Sequence, residues 1–560
     1  MKNHNSFSFL RLCCTLLMWA TSALTFAQST LYLDVAGQPM ALELTPRNID
    51  RYGIQPADSS TRFYGVHLRD FPESKGRAAY IDGQWQGLLL HDGQLHLISA
   101  LSPEGEAKSA AATNRFVAQT LNQDLSLGQC GFTPQVSAAT QSPAASQTIT
   151  PRNFTPRALQ IDYDTYCDDT VEGVCLVGQL TLVFDSQFES DFGSSYQSQA
   201  IAITEYVDLL YQQEFKIAFN KLRMAFGSGD QFGGGNDIEA VLDDMEAQRV
   251  AGDTASFDPN VFSILHFISG RNYADAGPAI GIAFGPTYAS FPTPDFPLLC
   301  SGYAMGTSQV FGSGSNRTAL TSIIVAHEIG HNFGFLHDGV DPGVTSCSSS
   351  AFIMAAELNP SASGFSSCSH DALAPNLNAI NNIETCFDFP INASLVVDSG
   401  NPAFAEPGSI VNTRYDITAI ARSDRTLNLR LTGTITSSAA TLISARLDST
   451  PCTLNSGNTQ YTCNITNASV HSLELELQTA LSNLSIRHQV ASTNGDDFDV
   501  DSADNQVVET ISVDFDGAGN DSENLASLDN KGSGGALLWL SLNLMVLLVA
   551  RRHCRARSPS

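Results

Sequence analysis

Between positions 327 and 338 the chain reads His327-Glu328-Ile329-Gly330-His331-Asn332-Phe333-Gly334-Phe335-Leu336-His337-Asp338. On a helix, residues four apart share a face, so His327 and His331 aim both imidazoles the same way and can hold one metal ion. His337 cannot come from the same straight helix, but Gly334 permits the sharp turn that returns it. Three neutral imidazoles leave zinc one open position, the arrangement of a catalytic rather than a structural site. Glu328 is placed beside a ligand to take a proton from bound water as it attacks a carbonyl. A lone histidine usually packs or sits in solvent; five specified residues at fixed spacing argue against that reading.

This segment resembles the metzincins, and within them the adamalysin or ADAM-like reprolysins. The likeness rests on Asp338 directly after the third histidine, on Ile353-Met354-Ala355 as a Met-turn, and on Phe365-Ser366-Ser367-Cys368-Ser369 followed by Cys386. Upstream, Gly281-Ile282-Ala283-Phe284 and Cys300-Ser301 are similar to the family's substrate-binding edge strand and the segment after it. The resemblance spans residues 158–390. It implies an α/β catalytic domain of mixed sheet plus helices and a zinc endopeptidase. One catalytic Zn2+ would sit on His327, His331 and His337, with Glu328 as the base. Met354 would form an apolar floor under the metal, and Asp338 would brace the lower subdomain. The edge strand would pair with an extended protein or peptide substrate, which supplies backbone hydrogen bonds without reading much sequence. Phe352 departs from the pattern, since many reprolysins have a cysteine there; this removes a disulfide candidate and leaves the metal ligands untouched.

The chain has 12 cysteines. Cys13, Cys14 and Cys554 fall in segments expected to be removed, and the other nine belong to an oxidising compartment. The likeness suggests Cys300 with Cys386 and Cys347 with Cys368. Cys167 with Cys175, and Cys452 with Cys463, are close enough in sequence to close short loops. Cys130 remains, in Gly128-Gln129-Cys130-Gly131-Phe132-Thr133. This resembles the cysteine switch at the end of reprolysin propeptides, where a thiolate would take the metal's open position. The alternative is a free or intermolecular cysteine, because a single Cys-Gly is weak by itself. Arg152 and Arg157 lie behind it in an exposed stretch, and maturation is expected at or near Arg157-Ala158.

The elements that would position these groups follow from periodicity. Residues 159–163 and 178–184 read as strands, 195–213 as a helix, 216–226 and 280–284 as strands, and 319–333 as a helix ended by Gly334. Strands alternating with helices indicate layered α/β structure. Before them, residues 28–147 show strand-like runs such as Gly87-Leu88-Leu89-Leu90 and the turn signals Asp82-Gly83 and Asp92-Gly93, giving a small, mainly β domain. It ends in a Ser/Ala/Thr/Gln/Pro-rich linker over 134–150. From about 393 to 513, short alternating runs such as Leu473-Glu474-Leu475-Glu476-Leu477 read as a β-sandwich. That sandwich resembles immunoglobulin-like repeats of bacterial surface proteins. Asp497, Asp499 and Asp501 hint at a structural Ca2+, but an EF-hand loop would need a glutamate where Val508 stands, which favours a solvated acidic turn.

At 560 residues a multidomain chain is expected. Its predicted parts are a signal peptide (1–27), a propeptide with cysteine switch and linker (28–157), the catalytic domain (158–390), an Ig-like β-sandwich (391–514), an acidic/Gly spacer (515–535) and a hydrophobic helix with a basic tail (536–557). The N-terminus has the charged, apolar and small-residue layout of a cleaved signal. The apolar run over 536–550 is short for a spanning helix, which needs about 20 residues. With Gly534-Gly535 before it and Arg551, Arg552, Arg555 and Arg557 after it, it resembles the GlyGly-CTERM sorting tail of Gram-negative bacteria; an ordinary tail anchor is the alternative. A formal charge of −28 argues against nucleic acid and anionic membrane surfaces as partners. The expectation is therefore an exported monomer, secreted or at the cell surface, with only transient membrane association through its tail. The competing reading is a surface adhesion protein whose protease domain is vestigial.

Overall fold

The computed structural model describes residues 31–100, 115–119, 129–134, 159–286, 298–357 and 362–513, apart from short gaps at 36–37, 48, 50–51, 55, 57, 132, 363 and 436–439. The expected signal peptide, most of the linker, the Arg157-Ala158 bond and the C-terminal tail lie outside these residues. Among the described residues no helix is long and apolar enough to cross a membrane. The chain divides into two units, Met1–Ile391 with Gly495–Val500, and Asn392–Asn494 with Asp501–Ser560.

The first unit opens with a closed barrel of seven strands: β1 (Leu31–Val35), β2 (Gln38–Pro46), β3 (Arg62–Leu68), β4 (Phe71–Ile81), β5 (Gln84–His91), β6 (Gln94–Ala100) and β7 (Arg115–Gln119). Parallel pairing of β1 with β7 closes it. The β4–β5 and β5–β6 connections are Asp82-Gly83 and Asp92-Gly93, and all four residues have positive φ (51°, 76°, 51° and 67°). That is the primed two-residue turn whose twist matches a hairpin, and it needs the short Asp and Gly side chains. The Leu88-Leu89-Leu90 run serves two cores. Leu89 joins the barrel interior with Leu33, Val66 and Ile98, whereas Leu88 faces out into a larger cluster shared with the following domain.

After the barrel, β8 (Gln129–Cys130) and β9 (Thr133–Pro134) lead to the α/β layer. Residues 159–163 form no strand, contrary to the sequence reading. Ile161 is buried, the Leu159 carbonyl accepts from Ile383 N, and the chain turns into the one-turn helix α1 (Tyr163–Tyr166). The main sheet then runs β11 (Ile217–Ala225), β10 (Leu176–Phe184), β12 (Ile264–Ser269), β14 (Met305–Gln309), β13 (Ala279–Gly285). Neighbours in this run are parallel except β13, which is antiparallel to β14, and the start of β10 also pairs antiparallel with Phe387 and Asp388. Every residue of β10 is buried, as a parallel strand covered on both faces requires.

Helix α2 (Ser186–Phe192) starts at Asp185, whose carboxylate accepts from Phe188 N. Helix α3 (Tyr196–Phe215) buries most of its length and ends at Lys216 in the left-handed region. Helix α4 (Ile238–Ala251) and strand β12 are absent from the sequence expectations. Yet α4 carries Ile238, Val241, Leu242 and Met245 at helical spacing, an Asp237 cap and a Gly252 stop. Helix α5 (Arg317–Asn332) carries the first two histidines and is buried from Thr318 to its end. Helix α6 (Ser367–Asn378) is capped by Ser366. Strand β15 (Phe387–Val397) contains the boundary between units. Residues 495–500, expected in the sandwich, belong to the first unit, where 497–499 pairs with Phe389, Pro390 and Ile391 of β15.

The second unit consists of two mainly antiparallel sheets. One pairs Val470–Thr479 with Ile410–Ala421 and Ala440–Leu447; the other pairs Leu429–Ile435 with Gln460–Ile465 and Leu484–Ser492, and the last with Gln506–Val513. Burial alternates along these strands, so Leu473, Leu475 and Leu477 point inward while Glu474 and Glu476 do not. Tyr415 of one sheet packs on His488 of the other, ring centroids 4.0 Å apart. The alternating burial is the one that the sequence pattern of this region predicts.

Candidate metal centre and active site

Helix α5 places His327 and His331 on one face, with ring centroids 4.8 Å apart. Its end is set by Gly334, which adopts φ +92°. The turn closes with Gly334 N donating to His331 O (2.9 Å) and Phe335 N to Gly330 O (2.9 Å). No side chain fits at 334, since a Cβ there would lie 2.0 Å from the Asn376 amide nitrogen. The chain thus reverses and returns His337, whose ring lies 4.8 Å from that of His331 and 5.3 Å from that of His327.

Each imidazole is oriented through its Nδ1. His327 Nδ1 meets Ile353 O at 2.7 Å, His331 Nδ1 meets Phe335 O at 2.8 Å, and His337 Nδ1 lies 3.3 Å from Asp341 Oδ2. An acceptor at Nδ1 fixes the proton there and turns the lone pair of Nε2 inward. His331 Nε2 and His327 Nε2 consequently face each other at 3.1 Å. Burial pushes the pKa of His327 down to about 3 and that of His331 well below the ordinary imidazole range, with His337 adding to both. Neutral imidazoles with converging lone pairs are the donor set a divalent ion requires.

The fourth donor is Cys130. Its Sγ lies 3.4 Å from His331 Nε2 and 3.5 Å from Glu328 Oε2, and with the three histidines it forms a group whose ligand atoms lie within 4.8 Å of one another. Backbone bonds hold it there: Gln129 N donates to Pro278 O (2.8 Å), Cys130 N to Ala356 O (3.0 Å) and Gly131 N to Gly281 O (2.8 Å). Strands β8 and β9 run parallel to β13, along the edge that β14 leaves open, while the isolated bridge Gln129–Glu357 ties the segment to the opposite wall. The residues fit zinc: three imidazole nitrogens and one thiol sulfur are the soft and borderline donors of a tetrahedral site.

Glu328 is buried beneath this group, which pushes its carboxyl up to about 8 against the opposing hydrogen bond from Cys130. Two close approaches make room. A Cβ at Gly281 would lie 2.3 Å from Glu328 Oε1, and a Cβ at Gly330 would lie 2.7 Å from Met354 Sδ. Met354 is fully buried in the cluster under the histidines. Asp338 accepts from Ser366 Oγ (2.5 Å), and its amide donates to Met354 O (2.9 Å). Asp338 therefore ties the chain after His337 to the cap of α6 through its side chain and to the Met-turn through its backbone amide. Burial raises the Asp338 carboxyl to about 6, with Ser366 opposing.

The four expected cysteine pairs are bonded: Cys167–Cys175, Cys300–Cys386, Cys347–Cys368 and Cys452–Cys463. Sequence reasoning missed Asp341, which accepts from His337 N (2.8 Å), and the wall at Ala356 and Glu357. Asp341 lies in the turn that follows His337, where no helical spacing marks it in the sequence.

Residues 177–366 match the family model Reprolysin_5, described as Metallo-peptidase family M12. A curated relative, the "Zinc metalloproteinase-disintegrin-like BmMP" of Bungarus multicinctus, is 43% identical over 72 residues, which are 13% of this chain and 11% of that protein. The chain thus spans about a tenth of that relative's length. Among solved structures, one titled "Structure of a chaperone-substrate complex" matches at TM-score 0.24 and 13% identity, covering 38% of this chain and 36% of that one. The CARDB domain of the PF1109 protein from Pyrococcus furiosus matches at TM-score 0.15 and 8% identity, covering 22% of this chain and 90% of that one. At those scores neither carries an argument about fold. The family match encloses His327, Glu328, His331, His337 and Met354 and, with the curated relative, supports a reprolysin-type metalloprotease domain in this chain.

Proposed function

We propose that this chain is a zinc-dependent endopeptidase of the metzincin kind, exported and made as a latent precursor in which the barrel and the Cys130 segment form the propeptide. The observation that carries it is the convergence of His327, His331 and His337 with the Cys130 thiol, all beside the Glu328 carboxylate. Residues 129–130 and 133–134 pair along the outer edge of β13, where an extended substrate would add as a strand, so precursor and substrate compete for the same backbone groups.

His327, His331 and His337 would hold the zinc ion, which when bound supplies Lewis acidity toward the scissile carbonyl. Once the thiol has left, Glu328 lies within reach of the space it occupied. There the carboxylate takes the proton of the attacking water and hands it to the leaving amine. Its buried surroundings suit that exchange, because a base near neutral pKa both accepts and returns a proton. Asp338 and Asp341 hold the returning loop and the His337 ring.

The four disulfides accord with an oxidising compartment. The sandwich, read as Ig-like, serves as a spacer or docking module, and the tail beyond 535 as a sorting signal. The vestigial-protease reading is disfavoured by the fully assembled ligand set, since a dead domain has no need of a device that covers it. Casein or gelatin cleavage by the processed protein tests the proposal. Activity is expected to vanish with a chelator and to fall by at least about a thousandfold in Glu328→Ala, with the bound metal retained on elemental analysis. Cys130→Ala is expected to give a precursor that cleaves without processing. Glu328→Ala at wild-type rate would refute the mechanism.

A further inference from the structure

On α3, the carboxylate of Glu205 is 2% exposed. It is paired with Arg47 Nε at 2.7 Å and Arg77 Nε at 3.3 Å, and accepts from the hydroxyl of Tyr52. Arg77 is on β4 of the barrel, and Arg47 and Tyr52 lie in its β2–β3 connection. Alongside, Tyr206 OH donates to Gln86 O (3.0 Å), and Gln86 Nε2 donates to Gln199 Oε1 (2.7 Å), which also accepts from Thr318 Oγ1 of α5 (2.6 Å). The apolar contact is continuous as well. Ile81, Leu88 and Leu97 of the barrel lie in the same buried cluster as Tyr206 and Leu210 of α3 and Ile323 of α5. This contact therefore combines a shared hydrophobic core with a buried, doubly paired carboxylate, the composition of a lasting rather than a transient interface.

We infer that the barrel outlasts cleavage of its linker: a cut within 135–158 leaves it docked through the Glu205 clamp, so Cys130 stays over the metal centre until the clamp lets go. The inference rests on the latency reading above and adds a second step to it. Only residues 120–128 separate the barrel from β8, and so short a tether holds the thiol at an effective concentration on the order of millimolar. Cleavage alone thus changes covalent connectivity without vacating the site. Departure of the barrel would strip Glu205 of two guanidinium groups and a phenol at once, which makes its off-rate the slow step of activation.

The experiment is limited trypsin digestion of the full chain to nick the 135–158 stretch, which contains Arg152 and Arg157, followed by size-exclusion chromatography and a casein assay on the same fractions. Nicked wild type is expected to elute as one complex with activity within about twofold of the intact precursor. Nicked Glu205→Gln is expected to lose the barrel fragment at least about a hundredfold faster, with activity rising as the fragment leaves. Should that variant fold poorly, Arg47→Met combined with Arg77→Met weakens the same clamp from the barrel side and leaves the catalytic fragment unaltered. Nicked Cys130→Ala is expected to co-elute yet be active. Separate elution of wild-type fragments, full activity on nicking, or wild-type dissociation in both clamp variants would overturn the inference. Inactive Cys130→Ala at unchanged co-elution would support the retained barrel and move the block from the thiol to the backbone pairing along β13.

Discussion

Glu328 owes its position to a residue that is not part of the helix carrying it. The carboxylate fits only because Gly281 of β13 has no side chain, a Cβ there falling 2.3 Å from Oε1. Gly281→Ala is therefore expected to push the carboxylate aside and lower kcat/KM about a hundredfold, the order of loss that a displacement near 1 Å produces. The accompanying overpacking should cost about 1–3 kcal/mol, small enough for a folded, metal-loaded protein. Kinetics beside thermal unfolding would check this, and wild-type kcat/KM in the variant would exclude the assigned contact. The contrast between the two residues explains what the sequence disclosed. His327, Glu328, His331 and His337 sit within one helix and one turn, so their spacing is itself the geometry. Gly281 is remote in sequence, and only the packing of β13 against α5 shows why it must be glycine. Asp341 and the Ala356 wall stayed hidden for the same reason: their roles come from a loop whose course no local period specifies.

At the scale of elements, the bend after α5 decides whether there is a third ligand at all. Gly334 combines φ +92° with a contact that leaves no room beside Asn376, whose amide also donates to Phe333 O at 3.1 Å. Gly334→Ala is expected to cost about 3 kcal/mol or more, the sum of left-handed strain and a collision with α6. It should also lower bound metal on elemental analysis, because His337 lies beyond the bend; a variant with wild-type melting temperature and metal content would disprove the assignment. Elements with a sustained period or a turn signal were legible: α3, α5 with its Gly334 stop, and the hairpins turned by Asp82-Gly83 and Asp92-Gly93. Helix α4 had those signals too, yet its apolar stripe is interleaved with Glu239, Asp243, Asp244 and Glu246, which dilutes the run. Residues 159–163 failed the other way. Ile161 anchors a single unpaired stretch whose neighbours Gln160 and Asp162 stay exposed, and alternation alone does not distinguish an anchor from a ladder.

At the scale of the whole molecule, the two units differ in how they use buried polar groups. The first ties barrel to catalytic layer through Glu205, whereas the second buries His488 between its sheets, where the ring packs on Tyr415 and its Nδ1 shares a hydrogen bond with Tyr461 OH at 2.5 Å. Burial lowers the His488 pKa to about 3, while the unfolded chain titrates near 6.5. The folded value is the lower one, so the neutral ring favours the folded state above pH 6.5, and this contribution is lost as pH falls through 6.5 toward 3. The slope for one proton is about 1.4 kcal/mol per pH unit. Neighbouring groups do not reproduce it. The two tyrosines stay neutral throughout, and Glu509, raised by burial and bonded to Tyr415, acts in the opposite sense because its protonation favours the folded state. His488→Gln removes the titrating ring and leaves Glu509 in place. Melting temperatures of the full chain between pH 7.5 and 4.5 should therefore fall less steeply in the variant than in wild type for the transition of the second unit. Equal slopes would mean that His488 stays charged or exposed, and acid sensitivity in this unit would need another source.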